Sequence, residues 1–272
     1  MAKKDMKRFR QLEKRFNTKI HFIYVSNELF NGAPLLMWSL PMYYRLLAPT
    51  VLPEELDRIL YLDCDIVVND DLTEFWNMDM SDHSAAVVIE SDSYAPNFNH
   101  IKRLNYDASL GYFNSGMMLI NLEFWRKMNV FQQGIDYLRN NKEKLVYPDQ
   151  DILNYILKDT KVFVAPTYNF QTFFLTNELF KYFPHDIKSQ ILESKPAIAH
   201  ILLKPWDIRS FSCPFYALWH KYLKLSPWHS IGEQPFKTKS VRALVKRYIL
   251  WPLGLCLPDI FIDEFKSHPE WY

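Results

Sequence analysis

Glycine is scarce in this chain: there are six in 272 residues, at positions 32, 111, 116, 134, 232 and 254. None approaches a Gly-x-Gly pattern, which excludes the glycine-rich phosphate loops of Rossmann and Walker-type sites. Cysteine is scarcer still. Cys64, Cys213 and Cys256 are far apart and odd in number, which fits a reduced compartment better than a disulfide framework and makes the cytoplasm the expected location. Cysteine and histidine spacings form no zinc motif. An excess of one charge is also missing: 32 Lys and Arg face 31 Asp and Glu, for a net charge of +1. No global field therefore favours a polyanion, and no nucleic-acid partner is expected. No uninterrupted apolar run is long enough to cross a bilayer, and residues 1–15 are too charged for a secretory signal. Internal repeats and low-complexity tracts are absent as well.

What is present is an alternation of helical and strand-like patterns, the mark of an α/β domain. The length allows one main domain, or a domain with a tail. Met6, Phe9, Leu12 and Phe16 recur at helical spacing, predicting an amphipathic helix over 3–16 and then a strand over 20–25. Residues 35–47 read as a helix ended near Pro49. Arg58-Ile59-Leu60-Tyr61-Leu62-Asp63 is a continuous apolar run, as expected of a central strand covered on both faces. A second such run over 85–89 ends in Glu90-Ser91-Asp92. Residues 93–111 read as a polar and aromatic loop or lid. Asn114 falls beside a tight turn before the run 117–120, Asn121 caps a helix through Trp125, and a helix starts at Tyr147-Pro148-Asp149-Gln150-Asp151. Strands are expected over 162–165 and 197–200. The 16% aromatic content suits stacking on sugars or bases, but aromatics also fill cores.

The chemistry concentrates at strand ends. In open α/β sheets ligands collect beyond the carboxyl ends of the strands, and there stand Asp63-Cys64-Asp65 and Glu90. Two carboxylates one residue apart at low dielectric call for a cation or strong donors. Mg²⁺ or Mn²⁺ suits such oxygen ligands, and an imidazole from His200 favours Mn²⁺. Against this, most Asp-x-Asp pairs are caps or solvated turns, and His200 alone reads equally well as a satisfied core histidine. Asn114 reads also as a turn residue, Asp149 as a helix cap and Arg45 as the partner of a surface carboxylate. Asp63-x-Asp65-x-Val67 also fits an Asp-nucleophile phosphotransferase of the haloacid-dehalogenase type, although the ordered set of partners such an enzyme needs is not found.

Taken in order, Tyr43-Tyr44-Arg45-Leu46, Arg58 to Asp65, Phe113-Asn114-Ser115-Gly116, Tyr147-Pro148-Asp149-Gln150-Asp151-Ile152-Leu153-Asn154, and His200 with Lys204-Pro205-Trp206 resemble the bacterial family 8 glycosyltransferases, the retaining galactosyl- and glucosyltransferases of lipopolysaccharide type. The resemblance implies a glycosyltransferase A-type fold, with a mixed, mostly parallel sheet between helices. It implies Asp63, Asp65 and His200 as ligands of Mn²⁺, with Mg²⁺ as the alternative. It places Arg45, Cys64, Glu90, Asn114 and Ser115 around the donor, Lys204 on the donor diphosphate, and Asp149 and Gln150 at the reacting centre. The partners it implies are a UDP-hexose donor, glucose or galactose, and a cell-surface glycan or glycolipid acceptor. The spacing from His200 to Lys204 is shorter than the family's and lacks its glycine.

Residues 3–25 match the helix and strand that follow the opening βαβ unit of family members. About 30 residues, the size of one such unit, therefore have no counterpart, and a truncated, non-catalytic binding subunit is the first alternative. The expected organisation is a catalytic domain over 1–210, N-terminally incomplete, and a helical, partly basic tail over 211–272. Within the tail, 237–258 mixes Lys and Arg with Leu, Tyr, Ile and Trp. That pattern reads equally as a peripheral contact with the inner face of a membrane or as a helix packed on its own domain.

Overall fold

The computed structural model describes residues 3–36, 39–204 and 215–232, with Val245, Ile249 and Ile262. Most of the 237–258 segment, and Pro205-Trp206, lie outside the described residues.

Among the described residues seven strands form: β1 (Arg58–Leu62), β2 (Ile66–Val68), β3 (Ala85–Ile89), β4 (Phe113–Asn121), β5 (Lys161–Phe163), β6 (Phe170–Gln171) and β7 (Ile198–His200). One sheet has the order β1-β4-β3-β5, the other β2-β7-β6. β4 explains the continuous apolar runs. Its Met118 and Ile120 belong to one core cluster, with Tyr43, Leu46, Trp125, Ile152 and Leu153, while Met117 and Leu119 belong to a second, with Phe170, Phe174 and Ile198. Side chains still alternate with period two, but both faces are core. Each such buried side chain contributes about 1.5–3 kcal/mol.

The mixed sheet was expected; the parallel majority was not met. Among the described strands, β1–β4, β3–β4 and β2–β7 pair antiparallel, and only β3–β5 and β6–β7 pair parallel. A continuous apolar run reports burial on both faces and is silent on direction. The expected strand over 20–25 is also corrected: these residues pair with no described strand, and Tyr24 is 83% exposed. β propensity needs a neighbouring ladder to be realised. The helix expected over 35–47 is a 3₁₀ helix, Leu40–Leu47, running straight into the helical turn Ala48–Val51. Pro49 sits in the first positions of that turn, where its missing N–H costs nothing, so it continues the helical path instead of ending it. The expected helices over 3–16 and 147–151 onward form as Lys3–Phe16 and Pro148–Leu157, and Asn121 accepts from Phe124 N as a cap.

Two departures from regular pairing build the site. Asp63 N donates to Gly116 O (2.8 Å), extending the β1–β4 ladder, and Ile201 N donates to Asp65 O (2.9 Å), extending β2–β7. Asp63-Cys64-Asp65 is thus the corner at which the chain leaves one sheet and enters the other. The second departure is in β4: Val87 pairs with Met118 but Val88 pairs with Asn114. Asn114 therefore lies in an irregular strand and not beside a tight turn. Bulges of this kind re-aim side chains next to sites. The segment 93–111, expected as a loop or lid, carries a short helix, His100–Leu104, with His100 and Leu104 buried. Phe215, Leu218 and Ile262 join the second core cluster. No helix among the described residues is long and apolar enough to cross a membrane.

Candidate metal and donor site

At the corner, one oxygen of Asp63, one of Asp65 and a ring nitrogen of His200 lie within 4.8 Å of one another. Strand register places the imidazole there, since Ile66 is opposite His200 in the β2–β7 ladder. His200 is buried, and burial pulls its pKa down to about 4 from the ordinary 6.5. The ring is therefore neutral at neutral pH. Its Nδ1 lies 2.9 Å from Asn169 Oδ1 and its Nε2 lies 3.5 Å from Asp65 Oδ1. Two carboxylates and a neutral imidazole so spaced fit one divalent cation after small side-chain rotations. Cys64, between the carboxylates, is exposed. Lys204 forms an ion pair with Asp65 Oδ2.

Arg45 is the hub beside this cluster. Its Nη2 donates to Asp63 Oδ1 (2.8 Å), its Nη1 to Ser115 O (2.6 Å) and Ser115 Oγ (2.8 Å), and its Nε to Met42 O (3.1 Å). The same Nε is 3.0 Å from Asp149 Oδ2. The guanidinium stands 4.6 Å from the Tyr61 ring centre, and Tyr61 OH donates to Asp63 Oδ1 at 2.7 Å. Burial opposes the Arg45 charge, but Asp149 and then Asp63 hold its pKa above the ordinary value. For Asp149, burial raises the carboxyl and Arg45 pulls it back.

From Arg45 the polar chain runs on. Ser115 N donates to Gln150 Oε1 (2.9 Å), and Gln150 Nε2 and Asn114 Nδ2 both donate to Glu90 Oε2, at 2.9 and 2.8 Å. Asn169 Nδ2 donates to Asn114 Oδ1 (3.0 Å), which closes the circuit at His200. Every residue expected at the site except Cys64, Asp65 and Lys204 therefore stands on one connected hydrogen-bonded network, which Asp65 faces across the cluster at His200 Nε2. Lys204 pairs with Asp65 on that far side of the cluster, away from Arg45.

Sequence reasoning missed several members. Asn169 is buried between aromatic neighbours; its one signal is that an amide in such a run must find partners. In the sequence, Asp151 is marked only as part of a helix start. It accepts from Tyr112 OH (2.7 Å), Val146 N (2.7 Å), Tyr147 N (3.1 Å) and Arg103 Nη2 (3.1 Å). Burial raises its pKa, but the bonds from His100, Val146 and Tyr112 and the charge of Arg103 bring it below the usual carboxylate value. Asp151 thus ties Val146 and Tyr147, the residues just before the helix Pro148–Leu157, to its first turn, and Asp149 turns to Arg45.

In the sequence, Gly116 is marked only as part of a motif. A Cβ there would fall far inside van der Waals contact with His200 Cε1 and 3.0 Å from Asn114 Oδ1 and Asp63 Oδ2. None of these groups can yield cheaply, because each is bonded on its other side. Gly116→Ala is expected to lower stability by about 1–3 kcal/mol and to abolish Mn²⁺ binding. Thermal melting and calorimetric titration check this, and unchanged Mn²⁺ affinity would contradict it.

Two carboxylates and a neutral imidazole within reach of one cation, beside a buried arginine and amide network, make a polar site fit for a charged ligand. The comparisons with known proteins agree. The model of glycosyl transferase family 8 matches residues 1–208. General stress protein A of Bacillus subtilis is 29% identical over 239 residues, covering 84% of this chain and 81% of the relative. A lipopolysaccharide 1,2-glucosyltransferase of Escherichia coli K12 is 32% identical over 216 residues, covering 78% of this chain and 62% of the relative. Among solved structures, the galactosyltransferase LgtC in complex with donor and acceptor sugar analogs superposes with a TM-score of 0.59 at 29% identity, covering 69% of each chain. The bifunctional glycosyltransferase WbbM superposes at 0.70 over 88% of this chain and 45% of its own; at 18% identity it speaks for the fold alone. The fold is of the glycosyltransferase A type, and with the family match spanning most of its length this chain belongs to glycosyl transferase family 8 and is a glycosyltransferase.

Proposed function

We propose that the chain is a retaining hexosyltransferase that moves glucose or galactose from a UDP-sugar to a cell-surface glycan or glycolipid, with Mn²⁺ held by Asp63, Asp65 and His200. The observation that carries this reading is the cluster itself: three hard or borderline ligand atoms within 4.8 Å, joined through Asn169 and Asn114 to a buried carboxylate, Glu90. The names of similar proteins support the substrates. Lipopolysaccharide 1,2-glucosyltransferase and lipopolysaccharide 1,3-galactosyltransferase are among them, and LgtC was solved with donor and acceptor sugar analogs.

When bound, a divalent cation supplies positive charge against the leaving diphosphate. The chain's own residues do the rest. Lys204, paired with Asp65 beside the cluster, would add a second positive charge where negative charge develops. Glu90 and Asn114 offer an acceptor and a donor to sugar hydroxyls. Arg45 orients Asp149 through Nε and holds Ser115 against Gln150. The Gln150 amide is bonded at both ends, so in this reading it orients the sugar and does not attack it. Residues 1–210 are the catalytic domain and 211–272 the appendage, in a cytoplasmic protein. The phosphotransferase alternative is disfavoured by Asp63: its Oδ1 accepts from both Arg45 and Tyr61, a poor state for a nucleophile.

Calorimetry with UDP, UDP-glucose and UDP-galactose, with and without Mn²⁺, tests the reading. Binding is expected only with the cation, with one of the two sugars preferred and slowly hydrolysed. If no UDP species binds under any condition, the catalytic reading fails and the binding-subunit alternative replaces it.

A further inference from the structure

We infer that Asn169 is a positioning residue of the cation cluster: its side-chain amide fixes His200 in the Nδ1–H tautomer and ties that imidazole to Asn114 and Glu90. Asn169 ends the 3₁₀ turn Pro166–Asn169, immediately before β6, and β6 runs parallel to β7 with Gln171 opposite His200. The ladder therefore brings the amide alongside the ring.

The direction of every hydrogen bond in this chain follows from its ends. Gly116 N–H can only donate, and it donates to Asn114 Oδ1 at 3.0 Å. The Glu90 carboxylate accepts from Asn114 Nδ2 at 2.8 Å. Both ends of the Asn114 amide are thereby fixed, with oxygen toward residue 169. Asn169 must present its NH₂ to that oxygen (3.0 Å), which turns its own Oδ1 toward His200 Nδ1 at 2.9 Å. Only a protonated Nδ1 satisfies that oxygen, so the lone pair is on Nε2, facing Asp65. Both Asn169 and Asn114 are buried, so water does not offer an alternative partner. An outer amide of this kind fixes the tautomer and orientation of a metal-ligating histidine. The part of the inference that concerns cation affinity rests on the proposed function; the tautomer does not.

Nitrogen NMR of protein labelled with ¹⁵N-histidine reads the tautomer without any metal. The chain has eight histidines, and the His200 signals are assigned by their loss in His200→Gln. The cation-free wild type is expected to show a protonated Nδ1 and a bare Nε2. In Asn169→Leu the ring is expected to move toward the Nε2–H form, whose proton points at Asp65, and calorimetric Mn²⁺ affinity is expected to fall about ten- to a hundredfold. Asn169→Asp offers an oxygen to Nδ1–H in either protonation state and is expected to restore the affinity to within a few-fold of wild type. A wild-type spectrum with protonated Nε2 overturns the inference, even if the leucine variant fails to fold. So does a folded Asn169→Leu with unchanged tautomer and Mn²⁺ affinity. A wild type that shows the Nδ1–H tautomer but binds no Mn²⁺ overturns the cation reading under the proposed function and leaves the tautomer assignment standing.

Discussion

Asp65→Ala is expected to remove measurable Mn²⁺ binding and to cut Mn²⁺-dependent UDP-sugar turnover by about a thousandfold. A bound cation supplies several kcal/mol of charge stabilisation at a leaving diphosphate, and each 1.4 kcal/mol is about tenfold in rate. The fold should hardly notice. The structural bond at this corner is made by the Asp65 backbone, whose carbonyl accepts from Ile201 N at 2.9 Å, and alanine keeps it. The side chain's partners are His200, neutral in the folded protein, and Lys204, whose side chain is 35% exposed. A lysine so exposed can turn to water, so the loss of this pair costs about 1 kcal/mol or less. The combination is diagnostic: a melting curve close to wild type beside a titration with no Mn²⁺ signal. Retention of Mn²⁺ affinity within a factor of about two by a folded Asp65→Ala protein would remove the cluster from the mechanism, since a site of two carboxylates and one imidazole loses a charge and a ligand together.

What the chain discloses before folding, and what it hides, divides along physical lines. Asp63 and Asp65 were legible because an apolar run ending abruptly in two carboxylates leaves few places for them other than a strand end. Glu90 was legible for the same reason, and the helix beginning at Pro148 was marked by proline in its first turn. Strand direction was not legible. The residues of β3 and β4 alternate between two cores, so their apolar runs look identical whether the neighbour is parallel or antiparallel, and the expected parallel majority gave way to antiparallel ladders. The slip between Val87 and Val88 leaves no trace in composition, yet it turns Asn114 toward Glu90. Asn169 lies 55 residues from Asn114 and 31 from His200 along the chain, and nothing local to Tyr168-Asn169-Phe170 distinguishes a relay amide from a turn. Asp151 was hidden differently: a carboxylate in the first turn of a helix reads as a favourable end charge, and its bonds to Arg103 and Tyr112 exist only after the 93–111 segment and the residue that follows it pack against it.

Arg45→Met should be the most destabilising single change at the site, lowering the free energy of unfolding by about 3–5 kcal/mol, the usual cost of removing one partner of a buried ion pair. Methionine refills much of the volume, so the loss is chiefly electrostatic. Asp149 Oδ2 would lose its guanidinium contact at 3.0 Å and Asp63 Oδ1 its contact at 2.8 Å. Arg45→Lys keeps the charge but cannot reach Asp63, Asp149 and Ser115 from one planar fork, so it should recover only part of the loss. The pH dependence separates charge from packing. Burial already raises the Asp149 carboxyl in the folded state, and Arg45 is the group that lowers it; without Arg45 the folded pKa rises further above the unfolded one. A carboxyl whose folded pKa exceeds its unfolded value binds a proton more tightly when folded, so its destabilisation is largest above the folded pKa and fades as pH falls through it. Denaturant unfolding should therefore show the gap between Arg45→Met and wild type narrowing as pH falls from neutral into the acid range. Arg45→Met with Asp149→Asn should close part of the gap already at neutral pH, because the second change removes the stranded charge. A gap that is constant across this range, and unmoved by Asp149→Asn, would mean that Arg45 acts by filling space, and the account of the site as a charge-balanced network around a cation cluster would have to be abandoned.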